Sequence, residues 1–157
     1  MAKGMIHYLL REQIIPRSLD EVWAFFCAPA NLNVITPPDM NFEIIKGGDS
    51  EMYEGQMIEY RVEFVRGLRS LWLTEITHVR ENAFFVDEQR VGPYRFWHHE
   101  HKFESVHDGV KMTDLVTYVM PFGILGDMVH AAWVGRRLQY IFDFRYEKID
   151  QLFGSAS

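Results

Sequence analysis

Apolar and polar positions change period twice along the chain. Met5–Ile15 reads as a strand closed by Pro16, whose missing N–H ends a ladder. Ser18, three residues before Glu21, forms a capping box, and Val22, Phe25 and Phe26 supply the apolar face of a short helix that Pro29 stops. Ala30–Ile35 predicts a second short helical turn, ended by Thr36-Pro37-Pro38 because the residue before a proline is pushed out of the helical region. The period then becomes two. Asn41–Lys46, Gln56–Arg66, Arg69–Val79, Ala83–Val91, Arg95–Val106 and Val110–Met120 are predicted strands, separated by turns at Gly47-Gly48-Asp49, Gly67, Glu81-Asn82, Gly92-Pro93 and Asp108-Gly109. Pro121 breaks the last strand. From Gly123 to Phe153, Leu125, Met128, Val129, Ala132, Arg136, Gln139, Tyr140, Phe144 and Ile149 recur at three- and four-residue steps, predicting one long helix. That helix would run roughly 45 Å at ~1.5 Å per residue, against some 33 Å for a ten-residue strand. It must therefore lie across the sheet. The expectation is an α+β fold: a strongly curved antiparallel sheet of six or seven strands wrapped around a long C-terminal helix, with two short helices after the first strand. A straight rod touches a twisted sheet along only part of its length, which leaves room between them.

The fifth and sixth predicted strands place unusual chemistry on the face toward that room. Trp97, His99, His101 and Phe103 share one face, and Phe96, His98, Glu100 and Lys102 share the other, more charged one. A three-residue loop at Gly92-Pro93-Tyr94 sets Gln89 opposite Trp97, Asp87 opposite His99 and Phe85 opposite His101. On the next strand Met112, Asp114, Val116, Tyr118 and Met120 share a face, with Asp114 opposite or diagonal to His101. Buried ions persist only when paired and hydrogen-bonded. Each carboxylate is therefore expected to raise the pKa of its histidine, and an unpaired histidine to be driven neutral by desolvation. Four readings stay open: polar rungs that fix register, the polar end of a ligand cavity, an Asp/His acid–base pair, and a metal site. One carboxylate per histidine makes a metal the weakest of these, so no metal and no cofactor are expected. The candidate ligand-binding residues are Tyr60, Trp72, Phe85, Asp87, Gln89, Trp97, His99, His101, Phe103, Met112, Asp114, Tyr118 and Arg136. The last lies on the predicted apolar stripe of the long helix. If the site is catalytic, His99, His101, Asp87 and Asp114 carry the chemistry.

Composition narrows the class. At 157 residues the chain reads as one domain over 1–157, with a frayed tail at Gly154–Ser157. A net charge of −6 argues against a nucleic-acid-binding face. A lone cysteine, Cys27, excludes an intramolecular disulfide and suits a reducing, cytoplasmic setting. No apolar run is long enough to span a membrane, and Met1–Gly4 does not start a signal peptide. Twelve Phe, seven Tyr, four Trp and eight Met are rich enough to line a hollow as well as fill a core. A hollow of roughly 400 Å³, left empty, would cost up to about 10 kcal/mol, so guest or water is expected in it. Ser18 is a cap rather than a nucleophile, and Gly47-Gly48 lacks the Lys-Ser/Thr of a phosphate loop.

Ile15-Pro16-x-Ser18-x-x-Glu21-Val22-Trp23-x-Phe25-Phe26-x-x-Pro29-x-Asn31-Leu32, then Ile35-Thr36-Pro37-Pro38, then Phe85-Val86-Asp87-Glu88-Gln89-x-x-Gly92-Pro93-Tyr94-x-x-Trp97-x-His99-x-His101-x-Phe103 resembles the SRPBCC superfamily. That is the START and birch-pollen-allergen-like group, with polyketide cyclases and coenzyme-Q-binding proteins. The resemblance runs from Tyr8 to Phe153 and implies a helix-grip fold with a cavity for a lipid-like, isoprenoid or polycyclic guest. It implies no single reaction, since members bind, carry or catalyse, and no catalytic set of the cyclases maps onto this chain. A hydrophobic small-molecule partner is expected; the oligomeric state stays open.

Overall fold

The computed structural model describes residues 4–155. Seven strands form one antiparallel sheet in the order β1-β7-β6-β5-β4-β3-β2. They are β1 (Ile6–Ile15), β2 (Glu43–Lys46), β3 (Met57–Val65), β4 (Leu68–Arg80), β5 (Phe84–Val91), β6 (Phe96–Val106) and β7 (Gly109–Val119). Each falls within a few residues of its predicted span. Between β1 and β2 lie α1 (Leu19–Phe26) and two 3₁₀ turns, Pro29–Asn33 and Pro38–Met40. The Ser18 hydroxyl accepts from the Glu21 N–H, as the capping box requires. Pro29 is not the terminator of α1 but the first residue of the following turn, where its missing N–H goes unused. Gly109 takes φ +135°, and a Cβ there would run into the carbonyl oxygen of Ile15, so the β6–β7 turn closes only on glycine.

The face that alternation assigns inward is buried: Ile58, Tyr60, Val62 and Phe64 on β3, and Val110, Met112, Asp114, Val116 and Tyr118 on β7. Register breaks on β2–β5, between Ile44 and Lys46, Val62 and Val65, Leu73 and Thr74, and Ile76 and His78, add the local twist that bends a sheet around a helix.

The C-terminal run is helical from Ile124 to Phe153, as α2 (Ile124–Val129), a π turn (His130–Val134) and α3 (Gly135–Phe153). Here the predicted stripe is wrong for all but Ile149, the one of its residues that is buried. Leu125, Met128, Val129, Arg136, Gln139 and Tyr140 are exposed, whereas the buried row is Val134, Leu138, Ile141, Phe142, Ile149 and Phe153. The count begun at Leu125 starts off the core face, since Leu125, Met128 and Val129 precede the π turn and are already exposed. Polar ties hold α3 across the sheet. Gln13 of β1 donates to the Asp150 carboxylate (2.8 Å) and the Tyr146 carbonyl (3.0 Å), and Arg137 donates to Asp39 (2.8 Å) and the Phe64 carbonyl (3.2 Å). Among the described residues no helix is long and apolar enough to cross a membrane. Ala156 and Ser157, part of the expected frayed tail, lie outside the described residues; Gly154 closes α3 with its N–H on the Asp150 carbonyl.

Candidate ligand cavity and its histidine–aspartate end

Between the sheet and α3 lies a cavity of about 150 Å³. Its walls come from β3 to β6, the turns after α1, and α3. Aliphatic and aromatic side chains make most of the surface, with Met40 and Met52 as pliable elements. One end is polar, carrying Asp87, His99, His101 and Arg145.

Strand register builds that end. Phe85 pairs with His101, Asp87 with His99, and His101 with Asp114, as the hairpin count predicts. The side chains, however, bond on the diagonal. His99 Nε2–H donates to Asp114 Oδ1 (2.7 Å), and His101 Nε2–H donates to Asp87 Oδ2 (2.7 Å). The second nitrogens cross over: His99 Nδ1 is 3.5 Å from Asp87 Oδ2, and His101 Nδ1 is 3.0 Å from Asp114 Oδ1. His101 Nδ1 nevertheless lacks an aligned hydrogen-bond partner. The two imidazoles lie 3.6 Å apart between centroids with their planes tilted by 34°, and Phe85 stacks on His101 at 4.2 Å. Each histidine therefore hydrogen-bonds one carboxylate, the diagonal one rather than the one opposite, and lies within ion-pair reach of the other.

Arg145 completes the group from α3. Its Nη1 is 3.5 Å from Asp114 Oδ1, its guanidinium lies over the Phe142 ring, and its Nε and Nη1 are buried without a hydrogen-bond partner among the described residues. Opposed forces set the charges. Burial disfavours ionisation of Asp114, but hydrogen bonds from His101 and His99 and the Arg145 charge outweigh it and hold the carboxyl well below its usual range. Asp87 is lowered too: burial opposes, while His99, His101 and Arg145 prevail. Burial also opposes charge on His101, yet bonds to Asp114 and Asp87 raise its pKa. For His99 burial and the His101 charge win and lower the pKa, despite the Asp114 bond. The expectation that both paired histidines would be raised holds for one of them.

Seven of the thirteen sequence candidates line this cavity: Tyr60, Trp72, Phe85, Asp87, Trp97, His99 and His101. Asp114 stands behind the histidines, on a small cleft shared with Arg145 and β1. Phe103 and Met112 are packed in the core near α1. Gln89 does not face Trp97, because the β5–β6 ladder stops at Glu88–His98. Its amide instead clasps the turn, donating to the Tyr94 carbonyl (2.6 Å) and accepting from the Tyr94 N–H (3.2 Å). Tyr118 bonds His130 (2.7 Å), whose ring stacks on His7 beside Asp127. Arg136 is exposed on α3; the arginine at the cavity is Arg145. Its signal in the sequence is its spacing of four from Ile141 and from Ile149, legible only once the helix phase is known. Cys27 is buried, and burial with nearby Glu51 pushes its thiol up to about 12, as suits a packing residue.

No family model and no curated protein matches the chain. Solved structures do. A protein from Chromobacterium violaceum superposes with a TM-score of 0.72 at 8% identity, covering 94% of this chain and 96% of that one. Ginseng major latex-like protein 151 from Panax ginseng gives 0.70 at 13% identity, over 96% and 99% of the two chains. Ara h 8.0201 gives 0.64 at 19% identity, over 92% and 98%. The fold is the helix grip that these structures share. In this helix grip the grasped element is α3, and Asp87, His99, His101 and Asp114 of β5 to β7 gather beside its Arg145.

Proposed function

We propose that the chain binds and carries a hydrophobic small molecule of lipid-, isoprenoid- or polyketide-like chemistry between the sheet and α3. The observation that carries this reading is a cavity of about 150 Å³ walled mostly by aromatic and aliphatic side chains, with its ionisable groups Asp87, His99, His101 and Arg145 drawn together. Left empty, that volume costs about 4 kcal/mol at ~24 cal/mol per Å³. This is less than half the cost of the larger hollow expected from the sequence, but still a large share of a stability of about 5–15 kcal/mol. The size favours a ring-sized apolar body; an engineered apolar cavity of about 150 Å³ takes benzene. Longer guests require Met40 and Met52 to move aside. The buried donors of Arg145 match an acceptor oxygen at the polar end of such a guest. The buried lone cysteine and the absence of a basic excess fit a cytoplasmic carrier without nucleic-acid contacts.

The test is a thermal-shift series of quinones, flavonoids, fatty acids and sterols. A class held at a hundred times its Kd adds about 2.7 kcal/mol, or roughly 5–10 °C in Tm for a domain of this size. No shift with any apolar class contradicts the reading.

A second reading is an enzyme of cyclase or dehydratase type. It is favoured by two histidines that reach the cavity with carboxylates at hydrogen-bond distance, the arrangement of a general acid–base pair. It requires turnover that is lost in His101→Asn while guest affinity is kept; binding without turnover selects the carrier.

A further inference from the structure

We infer that Asp87, His99 and His101 form a binding site for one first-row divalent transition metal ion of the Zn²⁺ or Co²⁺ class, open toward the cavity. One coordinating atom of each lies within 4.8 Å of the others, and all three residues line the cavity. His99 Nδ1 sits 3.5 Å from Asp87 Oδ2, too far for a strong hydrogen bond. Two ligands at about 2.0–2.2 Å from one ion stand roughly 3.0–3.5 Å apart, so this spacing already suits a shared ion. His101 Nε2, at 2.7 Å from the same oxygen, needs only to move back by a few tenths of an ångström as the ion takes the place of the proton between them.

The opposite edges of the two rings strengthen the case. A metal-bound imidazole needs its other nitrogen held by an acceptor, which fixes tautomer and orientation. Asp114 Oδ1 serves both rings here, at 2.7 Å from His99 Nε2 and 3.0 Å from His101 Nδ1. The latter nitrogen, without an aligned partner now, gains one with a slight ring rotation. Arg145 steadies Asp114 from behind. Two imidazoles and one carboxylate are the donors of zinc, iron and cobalt sites; Ca²⁺ and Mg²⁺ require more oxygens. Asp114 is thus a positioning residue and the other three are ligands. The inference stands apart from any organic guest, because the ion is added to guest-free protein.

The experiment uses the untagged full chain after chelator treatment. Equilibrium dialysis against ZnCl₂ or CoCl₂ is expected to give one bound ion per chain, and the Co²⁺ form is expected to show the visible absorption of a low-coordinate nitrogen–oxygen site. Asp87→Asn is expected to weaken binding at least 100-fold, and Asp114→Asn by about 10–100-fold. His130→Asn, at the other histidine pair, is expected to change nothing. Histidine ring ¹⁵N shifts of the wild-type chain keep the test open if a variant does not fold: Zn²⁺ is expected to move His99 and His101. The inference is overturned by no binding up to about 1 mM, by full affinity in folded Asp87→Asn, or by shifts confined to the other histidines.

Discussion

Asp114→Leu is expected to lower stability by about 3–5 kcal/mol, far more than its single side chain's contacts suggest. The loss comes from what stays behind. Asp114 accepts from His99, sits 3.0 Å from His101 Nδ1 and faces Arg145, all within a wall of Phe85, Phe142 and Met112. Removing one partner of a buried charge group leaves the others uncompensated, whereas replacing all of them with apolar groups can be neutral. Replacing Asp87, His99, His101, Asp114 and Arg145 together by apolar residues should therefore recover much of the loss. Urea melts of the two variants beside wild type make the comparison, and a loss below 1 kcal/mol for Asp114→Leu would contradict it.

The sign of each pKa shift locates the pH at which the group stabilises most. Asp87 and Asp114 are lowered from 3.8, so their contribution is full above 3.8 and lost as pH falls through their depressed values. His101 is raised from 6.5, so its contribution is full below 6.5 and lost as pH rises through the elevated value. His99 is lowered from 6.5, so its contribution is full above 6.5 and declines on acidification. These limbs meet near pH 6.5. The stability of wild type relative to the all-apolar variant is expected to be most favourable there and to fall in both directions.

Ile141→Trp is expected to abolish guest binding while the protein stays folded. Ile141 is buried on α3 and faces the cavity. A larger side chain there has the cavity to enter, so the change in stability should stay within the roughly 1–3 kcal/mol of ordinary overpacking. The readout is the ligand-induced Tm shift, expected to vanish for guests that shift the wild type. A full shift in Ile141→Trp would place the guest elsewhere.

The run of hairpins, the register of β5 to β7 and the inward face are legible because a period of two and turn residues at fixed places determine which residues stand opposite. That is why Asp87–His99 and His101–Asp114 appear as pairs from the sequence alone and in the sheet. The β1–β7 pairing, which no turn dictates, is not legible in this way. What alternation does not encode is the torsion of each ring. The imidazoles reach the diagonal carboxylates, so the hydrogen-bonded partners are His99–Asp114 and His101–Asp87 rather than the residues that stand opposite. Helix phase failed for a different reason. Leu125, Met128 and Val129, from which the stripe is counted, are exposed ahead of the π turn at His130–Val134, so the count puts Arg136 rather than Arg145 on the core face. Tyr118 and Gln89 were drawn from the site by partners beyond the strand pattern, His130 on the C-terminal helical run and the backbone of Tyr94.

Native mass spectrometry of the chain purified from its own host tests the carrier reading most directly. The expected spectrum holds a complex heavier than the bare 18.5 kDa chain by one apolar small molecule, released on denaturation and absent from Ile141→Trp. A bare chain, unshifted by any apolar class added afterwards, would contradict it.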